Sequence, residues 1–334
     1  MILDYETLKI IWWALIGVLL VAFALTDGFD MGVGTLLPII GNTDEERRIM
    51  LNTVGPHWEG NQTWLVTAGG ALFAAWPLVY AMAFSGFYLA MMITLFALFL
   101  RPLGFDYRSK LTDTRWRSSW DWGLFIGSTV PPIIFGVAFG NLLLGVPFHY
   151  DELMRPYYTG SFLQLLRPFA ILTGVVSLSM FVMHGAVWLQ MRTLDGLEAR
   201  ARNAAKIASL VVIVTFAAAG IWLTMSIDGF VIDSMPDANS AFTPELKHVS
   251  QQAGAWLTNY QTYPWMMFAP IAGFVGAVFV FISSHFNRSG WAFIASSLAI
   301  VGIILTAGFS MFPFIMPSSS DMNSSLQYGI PRRA

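Results

Sequence analysis

The stretch NQTWLVTAGGALFAAWPLVYAMAFSGFYLAMMITLFALFL, residues 61–100, holds no Asp, Glu, Lys, Arg or His. A helix needs roughly 20 mostly apolar residues to cross the hydrocarbon core of a bilayer. This stretch is therefore long enough for two crossings. Trp76-Pro77 lies between them. Proline breaks a helix and tryptophan favours the membrane–water interface, so the pair marks the expected reversal. The apolar run is continuous rather than alternating, which argues for helices over a transmembrane β-barrel.

Working outward, similar runs recur at about 8–27, 56–76, 80–100, 122–145, 168–190, 205–226, 264–284 and 291–312. The first extends towards residue 40 through MGVGTLLPII. The expected fold is an all-α polytopic membrane protein. It has eight transmembrane helices, arranged as two four-helix bundles in one domain spanning residues 1–334. The N-terminus lacks a basic leader region and a small-residue cleavage site, so its apolar run is expected to be retained. The whole chain agrees: 56% of its 334 residues are hydrophobic and 11% are charged. Typical soluble domains are about 25% charged. The composition excludes an ordinary soluble globule and a disordered chain. A net charge of −2 provides no field for nucleic acid. With no cysteine, this chain supplies no disulfide, iron–sulfur cluster or thiolate haem ligand.

Orientation follows from the cations. Twelve of the eighteen Lys and Arg residues fall in loops 1–2, 3–4, 5–6 and 7–8, among them Arg47, Arg108, Arg200 and Arg288. The positive-inside rule places these loops in the cytoplasm and the N-terminus in the periplasm. The long loop at about 227–263 is then periplasmic. It is rich in Asp, Ser, Asn and Pro, and reads as an exposed cap with little regular structure.

Charged groups inside membrane helices are costly and mark candidate functional sites. Asp30 lies 22 residues along the first helix, about 33 Å at 1.5 Å per residue, near the cytoplasmic face. Glu59 opens the second helix, Arg101 closes the third and Asp121 opens the fourth, all on that side. A carboxylate at a partly dry helix end can take up protons. Equally, helix dipoles favour acids in a first turn and Arg near a last turn. Asp30 has no such dipole explanation, and an Asp30–Arg101 pair is the expected structural one. Asp27 shares its face, three residues earlier. Of five histidines only His184 is mid-helix, and packing or a hydrogen bond is its more ordinary role than metal ligation. The Gly-rich runs at 28–34 and 140–148 allow close helix approach and lack a nucleotide-loop pattern.

At these same residues the sequence resembles subunit II of the bacterial cytochrome bd-type ubiquinol oxidases. The matching strings are DGFDMGVG (27–34), ERRIM (46–50), PHWEGNQTWL (56–65), GGALFAAWPLVYAMAFSGFY (69–88), RPLGFDYRSK (101–110), RWRSSWDWG (115–123), GVAFGNLLLGVPF (136–148) and FPFIMPSS (312–319). They run in family order from residue 1 to about 325.

The resemblance implies a multi-pass protein of the bacterial inner membrane, in a complex that oxidises quinol and reduces O₂ to water. Protons come from the cytoplasm, so a proton-motive force is generated. Two haems b and one haem d would be ligated by subunit I, with which this subunit forms a pseudo-symmetric pair. No cofactor would be ligated by this chain. A small accessory subunit, lipid and quinone are further implied partners. Glu59 matches the family's cytoplasmic proton entrance. Asp30, Arg101 and Asp121 match positions linked to assembly or the haem environment, and Trp64 matches the O₂ route. The family continues past FPFIMPSS into a ninth helix, whereas residues 320–334 here read as an atypical tail without one. Two other functions fit the residues alone: a proton-coupled transporter, and a purely structural assembly subunit.

Overall fold

The computed structural model describes residues 5–234 and 247–328. The first helix, α1 (Tyr5–Ile40), incorporates the apolar extension in one 36-residue run. Gly41, Asn42 and Thr43 separate it from α2 (Asp44–Asn52). Thr43 caps α2 with a capping box: its hydroxyl accepts from the Glu46 backbone N–H, and the Glu46 carboxylate accepts from the Thr43 N–H. Two orphan donors are satisfied by residues three apart in sequence.

The uncharged stretch forms three helices rather than two. They are α3 (Trp58–Ala75), α4 (Pro77–Gly86) and α5 (Tyr88–Tyr107). Trp76 breaks the helix at φ −136°, ψ 75°, and Pro77 starts α4 at the position where its missing N–H costs nothing. A second break follows at Phe87. The third long helix therefore begins eight residues later than the expected 80–100 segment and runs on to Tyr107. Arg101 does not close it but sits in its interior, beside Pro102.

The remaining long helices are α6 (Thr114–Leu144), α7 (Pro168–Arg192), α8 (Asp195–Ser226), α10 (Phe268–His285) and α11 (Ser289–Met311). A short α9 (Thr258–Thr262) precedes α10. Asp121 does not open α6 as expected: Asp113 caps the helix, accepting from the Arg115 N–H, and Asp121 lies seven residues inside it. Among the described residues, seven helices are long and apolar enough to cross a membrane: α1, α5, α6, α7, α8, α10 and α11. Eight were expected, and α3 makes the difference. It forms where expected, with 18 residues, but Glu59, Asn61, Gln62, Thr63 and Thr67 make it too polar.

Helix α1 packs against α3, α6, α7 and α11, α5 packs on α6, and α7, α8, α10 and α11 form a closed ring. The α1–α7 contact is unusually close. A Cβ on Gly185 would stand 2.5 Å from the Gly32 carbonyl carbon, so both positions require glycine. Met31, Leu37, Met183, Leu189 and Ile300 are fully buried in the core around this crossing.

One end of the bundle carries three antiparallel hairpins. These pair β1 (Phe148–Tyr150) with β2 (Pro156–Tyr158), β3 (Asp228–Ser234) with β4 (His248–Ala253), and β5 (Phe314–Met316) with β6 (Leu326–Gln327). The loop at 227–263 is thus a folded cap over much of its length, against expectation; residues 235–246 lie outside the described residues. Its polar composition hid an anchor. Trp256 is 2% exposed and donates its indole N–H to the Leu143 carbonyl at 3.1 Å. Phe230 packs on Gly145, which adopts φ +79° at the end of α6. The segment 320–328 is integrated too: Leu326 and Tyr328 are buried, and Tyr328 stacks on Phe312 at 4.9 Å. Residues 329–334 of the expected tail lie outside the described residues.

Candidate functional site

The ionisable groups gather at the end opposite the hairpins, as expected, but in a different pairing. Arg101 does not bond Asp30. Its guanidinium grips Asp27 bidentately, Nη1–Oδ2 at 2.9 Å and Nη2–Oδ1 at 2.5 Å, with side chains 1% and 0% exposed. Bidentate Arg–carboxylate pairs combine two charge-assisted hydrogen bonds with a fixed orientation. Asp27 and Asp30 share a face of α1, so sequence spacing alone does not choose between them. The same guanidinium lies 5.7 Å from the Trp58 ring.

Asp30 is bonded instead to α3. The Asn61 amide donates to Asp30 Oδ2 at 2.8 Å and lies 3.1 Å from His57 Nδ1. His57 Nδ1 is 3.8 Å from Asp30 Oδ1, which is buried without a hydrogen-bond partner. Burial is the main influence on the His57 imidazole and holds its pKa below the usual histidine value. The Thr53 carbonyl opposes this shift, and the Arg192 charge adds to it. His57 and Asn61 were not singled out in the sequence. The available signal was their i, i+4 spacing in PHWEGNQ, which puts both on one side of the helix.

Asp121 belongs to a second network, farther along α5. Arg108 Nε donates to Asp121 Oδ1 at 2.5 Å, and Arg47 donates to Oδ2 at 2.8 Å. Arg108 and Arg117 both reach Asp44. On Arg108, burial lowers the pKa, but the Asp121 and Asp44 carboxylates outweigh it and the net shift is upward. This network ties α2, α5 and α6 together. A further pair, Arg200–Glu46 at 2.6 Å, ties α8 to α2.

Glu59 stands apart from both networks. It is exposed, in the first turn of α3. Two residues from Asn61, it points about 200° around the helix axis from the Asp30 contact. Thr63 and Thr67 continue its exposed stripe, each hydroxyl donating to the carbonyl four residues back. Trp64 is 39% exposed, at the border of that face. His184 is buried, with Nδ1 2.8 Å from the Ser296 hydroxyl and Nε2 3.1 Å from the Leu25 carbonyl. Both ring nitrogens are engaged, which is the hydrogen-bonding role expected of it. Among the described residues no group of three His, Asp or Glu side chains is placed to hold a metal ion.

The family description "Cytochrome bd terminal oxidase subunit II" matches residues 8–328. The chain belongs to this family. It is 57% identical over 324 residues to the cytochrome bd-I ubiquinol oxidase subunit 2 of Escherichia coli K12, covering 97% of this chain and 86% of that protein. It is 32% identical over 313 residues to the cytochrome bd ubiquinol oxidase subunit 2 of Bacillus subtilis, covering 92% and 82%. In fold it resembles a chain of the bd oxidase structure from Geobacillus thermodenitrificans, with TM-score 0.69 at 16% identity, over 92% of this chain and 86% of that one. As a member of the subunit II family with seven apolar spanning helices, it is a multi-pass protein of the bacterial inner membrane. Haems are thereby implied in the complex to which it contributes.

Proposed function

We propose that this chain supports a haem-bearing subunit I in a terminal oxidase that oxidises quinol and reduces O₂ to water. Two haems b and one haem d reside in that partner, and the two subunits form a pseudo-symmetric heterodimer. A small accessory subunit, lipid and quinone complete its surroundings. In this reading α1, α3, α5 and α6 form one four-helix group and α7, α8, α10 and α11 the other, with α3 as the eighth crossing. The N-terminus and the hairpins are periplasmic, and the charge networks face the cytoplasm, where protons for water formation enter.

The observation that carries the reading is the outer face of α3. Glu59, Thr63 and Thr67 are exposed on a helix flanked by apolar spans. A polar stripe of this kind is expensive against lipid tails. It is tolerated where a protein partner covers it and where a carboxylate is needed, at a proton entrance between subunits. Glu59 takes that role. Trp64, bordering the same face, lies on the O₂ route. Asp30, Arg101 and Asp121 hold the frame behind it and keep the haem-side environment in place.

The test is Glu59→Gln in the assembled complex, with O₂ consumption measured per haem. Slowed turnover at unchanged haem content is the expected result. Normal turnover removes Glu59 from the proton path and favours a purely structural subunit.

A further inference from the structure

Behind α3, on the side away from Glu59, lies a second titratable pair that the proton entrance does not use. Four observations define it. Asp30 is 3% exposed, yet its Oδ1 has no hydrogen-bond partner. Burying a carboxylate oxygen unpaired is costly, and each such group in a folded protein calls for an explanation. His57 Nδ1 stands 3.8 Å from that oxygen. His57 itself is 37% exposed, so the ring spans from the outside to the buried acid. Asn61 holds the two together, one amide hydrogen on Asp30 Oδ2 and the other towards His57 Nδ1.

We infer that His57, Asn61 and Asp30 form a proton-holding relay, in which the partly exposed imidazole takes up a proton at Nδ1 and passes it to the buried carboxylate. In the resting arrangement the Asn61 amide faces both partners, so Nδ1 accepts and the ring proton is on Nε2. Protonation of the ring places a second N–H on Nδ1, which turns from Asn61 to the unpaired Oδ1. Transfer then breaks the Nδ1–H bond and forms an O–H bond on Asp30. The imidazole returns to neutral, the carboxylate becomes a neutral acid, and no other reactant is needed. Asn61 is a positioning residue: it sets the ring tautomer and the carboxylate orientation.

The surroundings suit a single mobile proton. On α1, Asp27 stands one turn away, but Arg101 of α5 neutralises it. On α7, Arg192 exerts its positive charge on the ring and Trp188 packs against it at 5.7 Å, while Phe29 of α1 packs at 5.6 Å. On α3, Trp58 and Glu59 are the neighbours in sequence, and Glu59 projects to the other face. The ring is therefore held by aromatic walls with one buried acid before it. The relay rests on the proposed cytoplasmic proton uptake, but not on Glu59 being its entrance.

The test is infrared difference spectroscopy of the assembled oxidase across a pH series, with the wild type, Asp30→Asn, His57→Gln and Asn61→Ser. The expected result is a protonated-carboxyl stretch that Asp30→Asn abolishes. His57→Gln should move the pH at which it appears, Asn61→Ser should shift its frequency, and Glu59→Gln should leave it in place. A band unchanged in Asp30→Asn overturns the relay. Should Asp30→Asn fail to assemble with haem, His57→Gln decides: an unchanged pH dependence in that variant overturns it equally. Slow turnover in Glu59→Gln with no Asp30 band would leave the proton entrance standing and the relay refuted.

Discussion

Replacing Arg101 by leucine should destabilise the protein more than replacing its partner Asp27. The pair is sealed from solvent and joined by two hydrogen bonds. Removing one partner of a buried ion pair typically costs about 3–5 kcal/mol, because the other charge is left uncompensated. The two halves are not equivalent here. Asp30 lies one turn beyond Asp27, about 4.5 Å of rise along α1. In Asp27→Leu the guanidinium retains a carboxylate within reach, so the cost should fall near the lower figure, about 3 kcal/mol. In Arg101→Leu two buried acids lose their cation, and Trp58 loses a cation–π contact worth about 0.5–2 kcal/mol. The expected cost is then at or above about 5 kcal/mol. The double variant removes both charges and should cost less than the sum, with a coupling of about 2 kcal/mol or more. Unfolding of the purified complex, followed together with haem retention, measures all three. Additivity within about 0.5 kcal/mol, or a larger loss in Asp27→Leu than in Arg101→Leu, would show that Asp30 does not share the Arg101 charge.

Two further outcomes follow from the packing and from the outer charge pairs, beside the Glu59 and relay experiments above. Gly185→Ala forces a methyl group into the Gly32 backbone and should lower the melting temperature by overpacking, typically about 1–3 kcal/mol; Ala at the open Gly220 is the matched control and should change little. Hydrogen bonding from Arg200 holds the Glu46 carboxyl below its ordinary pKa. The stability it contributes is therefore present above the usual carboxylate range and lost as pH falls through the lowered folded value. Both side chains are partly exposed, so the effect is small, about 0–1 kcal/mol. Arg200→Ala should shrink that acid-side slope in a stability-versus-pH curve, leaving the part due to the Asn42 and Thr43 backbone N–H donors.

The helical frame was legible because its signal is redundant. An apolar run of twenty residues reports a spanning helix whichever neighbours it meets, and seven such helices stand where the sequence put them, with starts displaced by up to about ten residues. Boundaries were less legible where tertiary contacts set them. Phe87 breaks the helix without a proline or glycine at its own position, and α6 starts behind the Asp113 cap, seven residues before Asp121. The pairing of Asp27 rather than Asp30 with Arg101 is of the same kind. Both acids share a face of α1, and the choice depends on how α3 approaches with Asn61. The folded cap was hidden by composition: its polar residues outnumber Trp256 and Phe230, yet those two side chains anchor it. Glu59 was legible as the acid in a first helical turn, but its outward direction required the position of α1.

This chain works as part of a haem-bearing quinol oxidase. The most direct measurement is to purify the native complex through a tag on this chain, record its optical spectrum, and assay quinol-dependent O₂ consumption. The expected result is a co-purifying partner with haem b and haem d absorption, and O₂ uptake on addition of quinol. A haem-free protein that does not consume O₂ with quinol would contradict it.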